Sequence, residues 1–194
     1  MAERTCVKCN ATCATYKFGR QIARMLDICL GPRSAMTLIV FVCRGNTCRS
    51  PMAEAYAQSA VLERGFSDLR FESAGIALSG QHSTMTPLAK ETLVNQGISP
   101  SLHVARMLTS ALCQTAALLV TLDHAVDRET RAKTSVDNAK VRTLMSFAPT
   151  MCDEVVDPWG GSAADYARAL IVIRAGVDGL LDALQRSGNV ASMP

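Results

Sequence analysis

The sequence predicts an α/β fold: a three-layer, doubly wound sheet of four parallel strands, with a phosphate-binding loop after the first strand. Three observations predict it. From Thr37 onward, short apolar runs rich in β-branched residues alternate with stretches of helical pattern. Those runs are apolar on both faces, as in strands covered on both sides, and helices between them make the strands parallel. The first run ends in a tight loop, Cys43-Arg-Gly-Asn-Thr-Cys-Arg-Ser-Pro51, that opens directly into an alanine-rich helix.

The first strand is expected at 37–42 (Thr-Leu-Ile-Val-Phe-Val) and the helix after it at 51–64, where Pro51 suits a first turn because its missing N–H costs little there. A second strand follows at about 69–73, then a loop and a helix near 86–96 that ends at Gly97. A short helix around 109–115 precedes the third strand, 117–122 (Ala-Leu-Leu-Val-Thr-Leu), and a helix starts from Asp123. The fourth strand is expected near 141–145. A long helix runs from Ser162, a good N-cap, to about Gln185. In such a sheet the ligand site lies at the C-terminal strand ends near the switch in strand order, where Cys43 sits. Cys113 reads as core, His82 and His124 as surface residues, and Cys152 has no assigned role.

The loop has a chemistry of its own. A thiolate is the reactive form of cysteine, and the unpaired N–H groups and dipole of a helix N-terminus favour negative charge. Successive inward amides make an anion nest that places phosphorus above Cys43. Arg49 offers a planar fork for two phosphoryl oxygens. Ser50 can donate its hydroxyl to the thiolate. Gly45 and Asn46 tolerate positive φ, which a tight loop needs.

With these residues in place, Cys43-Arg-Gly-Asn-Thr-Cys-Arg-Ser-Pro-Met-Ala-Glu54 resembles the signature of the low-molecular-weight protein tyrosine phosphatase family nearly residue for residue. Val155-Val-Asp157-Pro158-Trp159-Gly160-Gly161-Ser162 resembles the family's Asp-Pro loop, and Ser73-Ala-Gly75 and His103-Val-Ala-Arg106 resemble two further family positions. The resemblance covers about Met36 to the end. It implies a two-step phosphatase in which Cys43 forms a phosphocysteine, Asp157 serves as general acid and then base, and Arg49 and the loop amides stabilise the transferring charge. It also implies a network of Asn46, Ser50, Ser73 and His103 that holds the loop. Arg44, Gly45, Asn46, Thr47, Cys48, Ser50 and Trp159 would meet the substrate. Cys48 either packs beneath the loop or forms a reversible disulfide with Cys43 under oxidants.

Two departures bear on the substrate. Trp159 is followed by Gly160-Gly161, where tyrosine-specific members often carry tandem aromatics, and Thr47 stands where many have a bulky aliphatic residue. Both resemble the bacterial protein-arginine phosphatase branch; a hydroxyl at Thr47 can accept a hydrogen bond from a guanidinium. Arg44 at the rim pulls the other way, repelling a bare cation and attracting acidic flanking sequence. Phosphotyrosine and phosphoarginine both stay open. The other readings are a thioredoxin-coupled arsenate reductase, which needs a closely spaced cysteine pair that Cys113 and Cys152 do not make, and an inactive phosphoprotein-binding module.

The chain of 194 residues is long enough for one domain with a proper core, and it is 48% hydrophobic with few aromatics. Its net charge of +3 is concentrated at one end: residues 1–35 carry six Lys/Arg against two Asp/Glu, the remainder 14 against 15. The basicity therefore argues for no nucleic-acid face. No apolar run approaches the ~18 residues of a membrane span, and no secretory signal is evident. Eight cysteines would suit disulfides, but a catalytic thiolate needs a reducing compartment, so the expected location is cytoplasmic. Residues 1–35 read as a poorly ordered N-terminal extension before a phosphatase domain at 36–194. Residues 15–30 form a candidate amphipathic helix ending at Gly31. Cys6, Cys9, Cys13 and Cys29 are too unevenly spaced for a zinc site. The expectation is a phosphorylated protein as partner, no cofactor, no metal, and a monomer or weak dimer.

Overall fold

The computed structural model describes residues 36–78, 80, 83–133, 137–148 and 152–190. The expectations for the N-terminal extension, its helix and its cysteines, and for His82, lie outside the described residues.

Four parallel strands, β1 (Thr37–Cys43), β2 (Leu69–Gly75), β3 (Leu118–Thr121) and β4 (Val141–Thr143), pair in the order β2-β1-β3-β4. Thr37 pairs with Leu69 and Cys43 with Gly75 on one side of β1; Ile39 pairs with Leu118 and Val42 with Thr121 on the other. Alternation along β1 splits the core into two layers. Ile39, Phe41 and Cys43 face helices α1 (Arg49–Arg64), α2 (Pro87–Val94) and α5 (Ala163–Val190). Val40 and Val42 face Cys113 of α3 (Ser110–Thr115) and Val126 of α4 (His124–Lys133). Cys113 is core, as its sequence context suggests. Ile39 and Phe41 are fully buried, and each such side chain contributes about 1.5–3 kcal/mol by leaving water.

The elements match the expected order, with shifted ends. The first helix begins at Arg49 rather than Pro51. β4 stops at Thr143, and Leu144–Phe147 turn into a 3-10 helix. Leu144 and Phe147 are buried in the same core as Leu180 and Leu184 of α5, and this packing overrides the strand pattern. Gly179 of α5 lies so close to the Phe147 carbonyl that any Cβ there would collide with backbone. α2 ends at Val94; Ile98 N–H bonds back to the Leu93 carbonyl at 3.0 Å, and Gly97 takes the left-handed φ of 74° that this turn requires. Ser162 precedes α5, but its hydroxyl donates to Asp165 at 2.6 Å instead of capping an N–H. Among the described residues no helix is long and apolar enough to cross a membrane.

The chain leaves β1 for β2 on one side and reaches β3 on the other, so the strand order switches between β1 and β3. The loop after β1 and the residues after β3 meet at that switch.

Candidate active site

The loop from Cys43 to Arg49 is held from outside by its carbonyls. Ile76 N–H donates to the Cys43 carbonyl at 3.2 Å and Ala77 N–H to that of Arg44 at 2.9 Å. His103 Nε2 lies 2.7 Å from the Asn46 carbonyl, so that ring nitrogen must carry the proton. Thr86 N–H donates to the Thr47 carbonyl at 2.9 Å, and Met52 N–H to that of Cys48 at 3.1 Å. The described peptide bonds are trans, so each N–H points away from the carbonyl of its own peptide unit. With those carbonyls tied outward, the N–H groups of Arg44, Gly45, Thr47, Cys48 and Arg49 aim to the inside. This is a nest for an anion. Cys48 is the N-cap of α1 yet supplies no side-chain acceptor, and the first turn holds no acidic residue, so the helix's own first donors stay available to a ligand.

Asn46 organises the interior. It alone among the described non-glycine residues has positive φ, 53°; Gly45, expected to share that role, does not. Asn46 Nδ2 donates to Ser50 Oγ and to Ser73 Oγ, both at 2.9 Å, and its Oδ1 accepts from Arg106 N–H at 2.9 Å. Ser73 passes its own proton to Glu54 at 2.6 Å. Ser50 Oγ, which accepts from Asn46, lies 3.0 Å from Cys43 Sγ and can direct its proton there. The pairing of β2 with the loop depends on Gly75, because a Cβ there would stand 2.8 Å from the Arg44 carbonyl oxygen. The network implied by the resemblance thus has the residues expected, with Glu54 and Arg106 added.

Cys43 is buried. Burial pushes its thiol above the ordinary value, against the opposing pull of the Ser50 hydroxyl, the Ser50 and Asn46 N–H groups and the Arg49 charge.

Arg49 is only 4% exposed. Its Nη1 donates to Asp123 at 2.5 Å and to the Val155 carbonyl at 3.0 Å; its Nη2 donates to Asp157 at 2.7 Å. Its Nε is buried without a partner among the described residues. Asp157 also accepts from Trp159 N–H at 3.3 Å, so it is a turn residue as well as a neighbour of the site. Trp159 is 71% exposed. Arg44 is exposed and stands 3.7 Å from Glu129. Thr47 Oγ1 has one long contact, 3.7 Å, with Cys48 Sγ. Cys48 is buried and its sulfur lies 3.5 Å from both Thr86 Oγ1 and Tyr166 Oη. His124 is on the surface, as expected, beside Asp153.

The sequence missed Asp123, Glu54, Thr86 and Tyr166 as parts of this arrangement. Asp123 carried a usable signal, since it follows the C-terminal end of a parallel strand. A cleft of about 550 Å³ opens at the edge of β2, lined by Glu54, Ser73, His103 and Arg106 among others; it backs onto the Asn46 network and includes neither Cys43 nor Asp157.

A buried cysteine thiol at the base of an anion nest, with an arginine fork and a carboxylate at its edge, is an arrangement that suits phosphoryl transfer. Residues 38–190 match the family model described as low molecular weight phosphotyrosine protein phosphatase. The chain belongs to that family. It is 37% identical over 128 residues to the protein-arginine-phosphatase of Bacillus subtilis, covering 66% of this chain and 83% of that protein. It is 33% identical over 153 residues to a low molecular weight protein-tyrosine-phosphatase of Streptomyces coelicolor, covering 76% of this chain and 93% of that one. Among solved structures, the enzyme resembles a YwlE mutant from Bacillus subtilis, with TM-score 0.71, 32% identity, and coverage of 77% and 99%. It also resembles a YwlE arginine phosphatase mutant with a phosphorylated active-site serine, with TM-score 0.72, 30% identity, and coverage of 79% and 99%. The phosphatase is a hydrolase of the protein tyrosine phosphatase type, with the α/β fold that the sequence predicted.

Proposed function

We propose that this phosphatase cleaves phosphoryl groups from protein side chains through a phosphocysteine on Cys43. The observation that carries the reading is Cys43 Sγ at the floor of the N–H nest, 3.0 Å from Ser50 Oγ, with Arg49 at the loop's end. Cys43 sulfur attacks phosphorus, and the S–P bond forms as the bond to the side-chain oxygen or nitrogen breaks. A protonated thiol facing a phosphoryl dianion and a thiolate facing its monoanion carry the same total charge, so the proton can pass to the phosphoryl group before attack. Arg49 and the inward N–H groups balance charge on the phosphoryl oxygens. Asp157 gives its proton to the leaving group. It then takes one from the water that attacks the phosphocysteine, the S–P bond breaks, and Ser50 steadies the departing thiolate. The solved relative with a phosphorylated active-site serine supports a covalent intermediate at the corresponding step.

Arg44, Gly45, Asn46, Thr47, Cys48 and Trp159 then frame the substrate, a phosphorylated protein. The Thr47 hydroxyl, with no short hydrogen bond among the described residues, favours phosphoarginine, since its oxygen can accept from a guanidinium. The exposed Trp159 ring and the Arg44 cation favour the second reading, a phosphotyrosine beside acidic residues. The chemistry suits the reducing cytoplasm.

The test is side-by-side turnover of phosphotyrosine and phosphoarginine peptides by the full chain, with Cys43→Ser as control. Turnover of either, lost in the control, upholds the reading, and the ratio assigns the substrate. No turnover of either, with arsenate-dependent thiol consumption, would make the protein a reductase. Tight phosphopeptide binding without turnover would make it a binding module.

A further inference from the structure

We propose that Tyr166 is a positioning residue for the phosphate-binding loop, acting through Cys48 and Thr86. The inference rests on the phosphatase reading above and adds a residue that the loop motif does not specify.

Tyr166 is 3% exposed and lies in the first turn of α5, where its N–H bonds to the Ser162 carbonyl at 3.3 Å. Thr86 Oγ1 donates to its hydroxyl at 3.4 Å, and Cys48 Sγ lies 3.5 Å from both oxygens. Three groups with one hydrogen each thus close a three-membered ring, and each hydrogen serves one edge. Cys48 and Tyr166 are buried and Thr86 is half-buried, so a Cys48 or Tyr166 group left out of the ring loses its partner. The phenol remains a donor through the working pH range, because burial and its neighbours Cys48 and Asp157 push it upward.

The ring bears on phosphate binding through Cys48. This residue is the hinge between loop and helix, with φ −124° and ψ −86°. Thr86 grips it twice: its N–H holds the Thr47 carbonyl, which turns the Cys48 N–H inward, and its hydroxyl meets the Cys48 sulfur. Tyr166 closes the grip from the far side. The Cys48 N–H is therefore aimed by Thr86, and the Cys48 side chain is held by Thr86 and Tyr166, two residues distant in sequence. Tyr166 also belongs to the turn that follows the Asp157 loop, with Ser162 and Asp165 fixing that turn at 2.8 Å. Its hydroxyl therefore ties the segment carrying the candidate acid to the underside of the nest.

The experiment is the affinity of the full chain for inorganic phosphate, by titration calorimetry, for wild type, Tyr166→Phe, Thr86→Val and the double variant. Phenylalanine keeps the ring packing, and valine keeps the Thr86 N–H. Each single change is expected to weaken phosphate binding about tenfold, and to raise KM in parallel, by leaving buried partners unpaired. The double variant is expected to bind no more weakly than either single one, because a ring opened once gives no second loss. A merely structural role would lower the melting temperature and leave phosphate affinity alone; that result in Tyr166→Phe overturns the inference. If Tyr166→Phe does not fold, Thr86→Val decides by the same readout. A wild type that binds no phosphate would sink the phosphatase reading and this inference together, whereas tight wild-type binding unchanged in the variants sinks only the inference.

Discussion

Nη2 of Arg49 lies 2.7 Å from Oδ2 of Asp157, so the cation that should hold the phosphoryl group is bonded to the carboxylate that should serve as acid. Asp123 occupies Nη1, the other terminal nitrogen, at 2.5 Å. The two carboxylates differ in what holds them. Asp123 is anchored by Val126 N–H at 2.7 Å at the start of α4, whereas Asp157 is 44% exposed on a loop. A phosphoryl group that claims Nη2 therefore competes with Asp157, and Asp123 stays behind to aim the guanidinium.

That competition gives a first prediction. Asp157→Ala should lower kcat by about 100- to 10,000-fold, the usual range for lost acid–base help. It should bind inorganic phosphate at least as tightly as wild type, because Arg49 gains a free nitrogen. Calorimetry beside steady-state kinetics checks both halves. Phosphate affinity falling together with kcat would show that Asp157 and the phosphoryl group do not compete.

Asn46 gives the second. Its side chain makes three hydrogen bonds inside the loop and its backbone is left-handed. Asn46→Gly keeps the backbone and loses the bonds, which should cost about 2–4 kcal/mol at ~1 kcal/mol or more each. Asn46→Ala should be worse by ~1–2 kcal/mol, since alanine also resists that φ. Urea unfolding of the two variants measures the difference. Equal stabilities would mean that the loop relaxes to an ordinary backbone when the side chain goes.

The contrast between Asn46 and Asp123 shows what the sequence could reveal. Cys43, Asn46, Arg49 and Ser50 fall within eight positions, between a clear strand and a clear helix, so one local pattern exposes them together. Asp123, Thr86 and Tyr166 are scattered along the chain and meet only because parallel strands and α5 bring their ends to one place. Asp123 reads as a helix start, which it also is, and nothing local marks its second bond to Arg49. Cys48 illustrates a subtler limit: its place in the loop is legible, but its sulfur turns to Tyr166, 118 positions away. The overlong fourth strand failed for a related reason, because burial of Leu144 and Phe147 against α5 is indistinguishable in sequence from burial in a sheet.

A third prediction concerns the entry to α5. Asp165 accepts from the Ser162 N–H and hydroxyl and from Arg168, and these bonds lower its carboxyl from 3.8 to about 2. A depressed carboxyl stabilises the fold fully above its unfolded value and loses that contribution as pH falls through the folded one. The gap in urea midpoint between wild type and Asp165→Asn should therefore hold steady near neutrality, narrow as pH falls through 3.8 and vanish only below about pH 2. A gap that widens on acidification would assign the Ser162 bonds to the neutral form.

The last prediction separates the two substrates at Thr47. Its backbone is fixed by Thr86 N–H and, among the described residues, its Oγ1 has only the long contact to Cys48, so the side chain can change without disturbing the loop's carbonyl anchors. Isoleucine keeps the β-branch, which preserves the χ1 preference, and replaces the hydroxyl with carbon. If the hydroxyl accepts a hydrogen bond from the guanidinium, its loss leaves that donor unpaired. Thr47→Ile should then shift the ratio of kcat/KM values about 10-fold or more toward phosphotyrosine, the size expected when a buried polar group loses its partner. The ratio is internal to one enzyme preparation, so a general loss of folding cancels from it. An unchanged ratio would remove Thr47 from substrate choice and leave Trp159 and Arg44 as the groups that select the substrate.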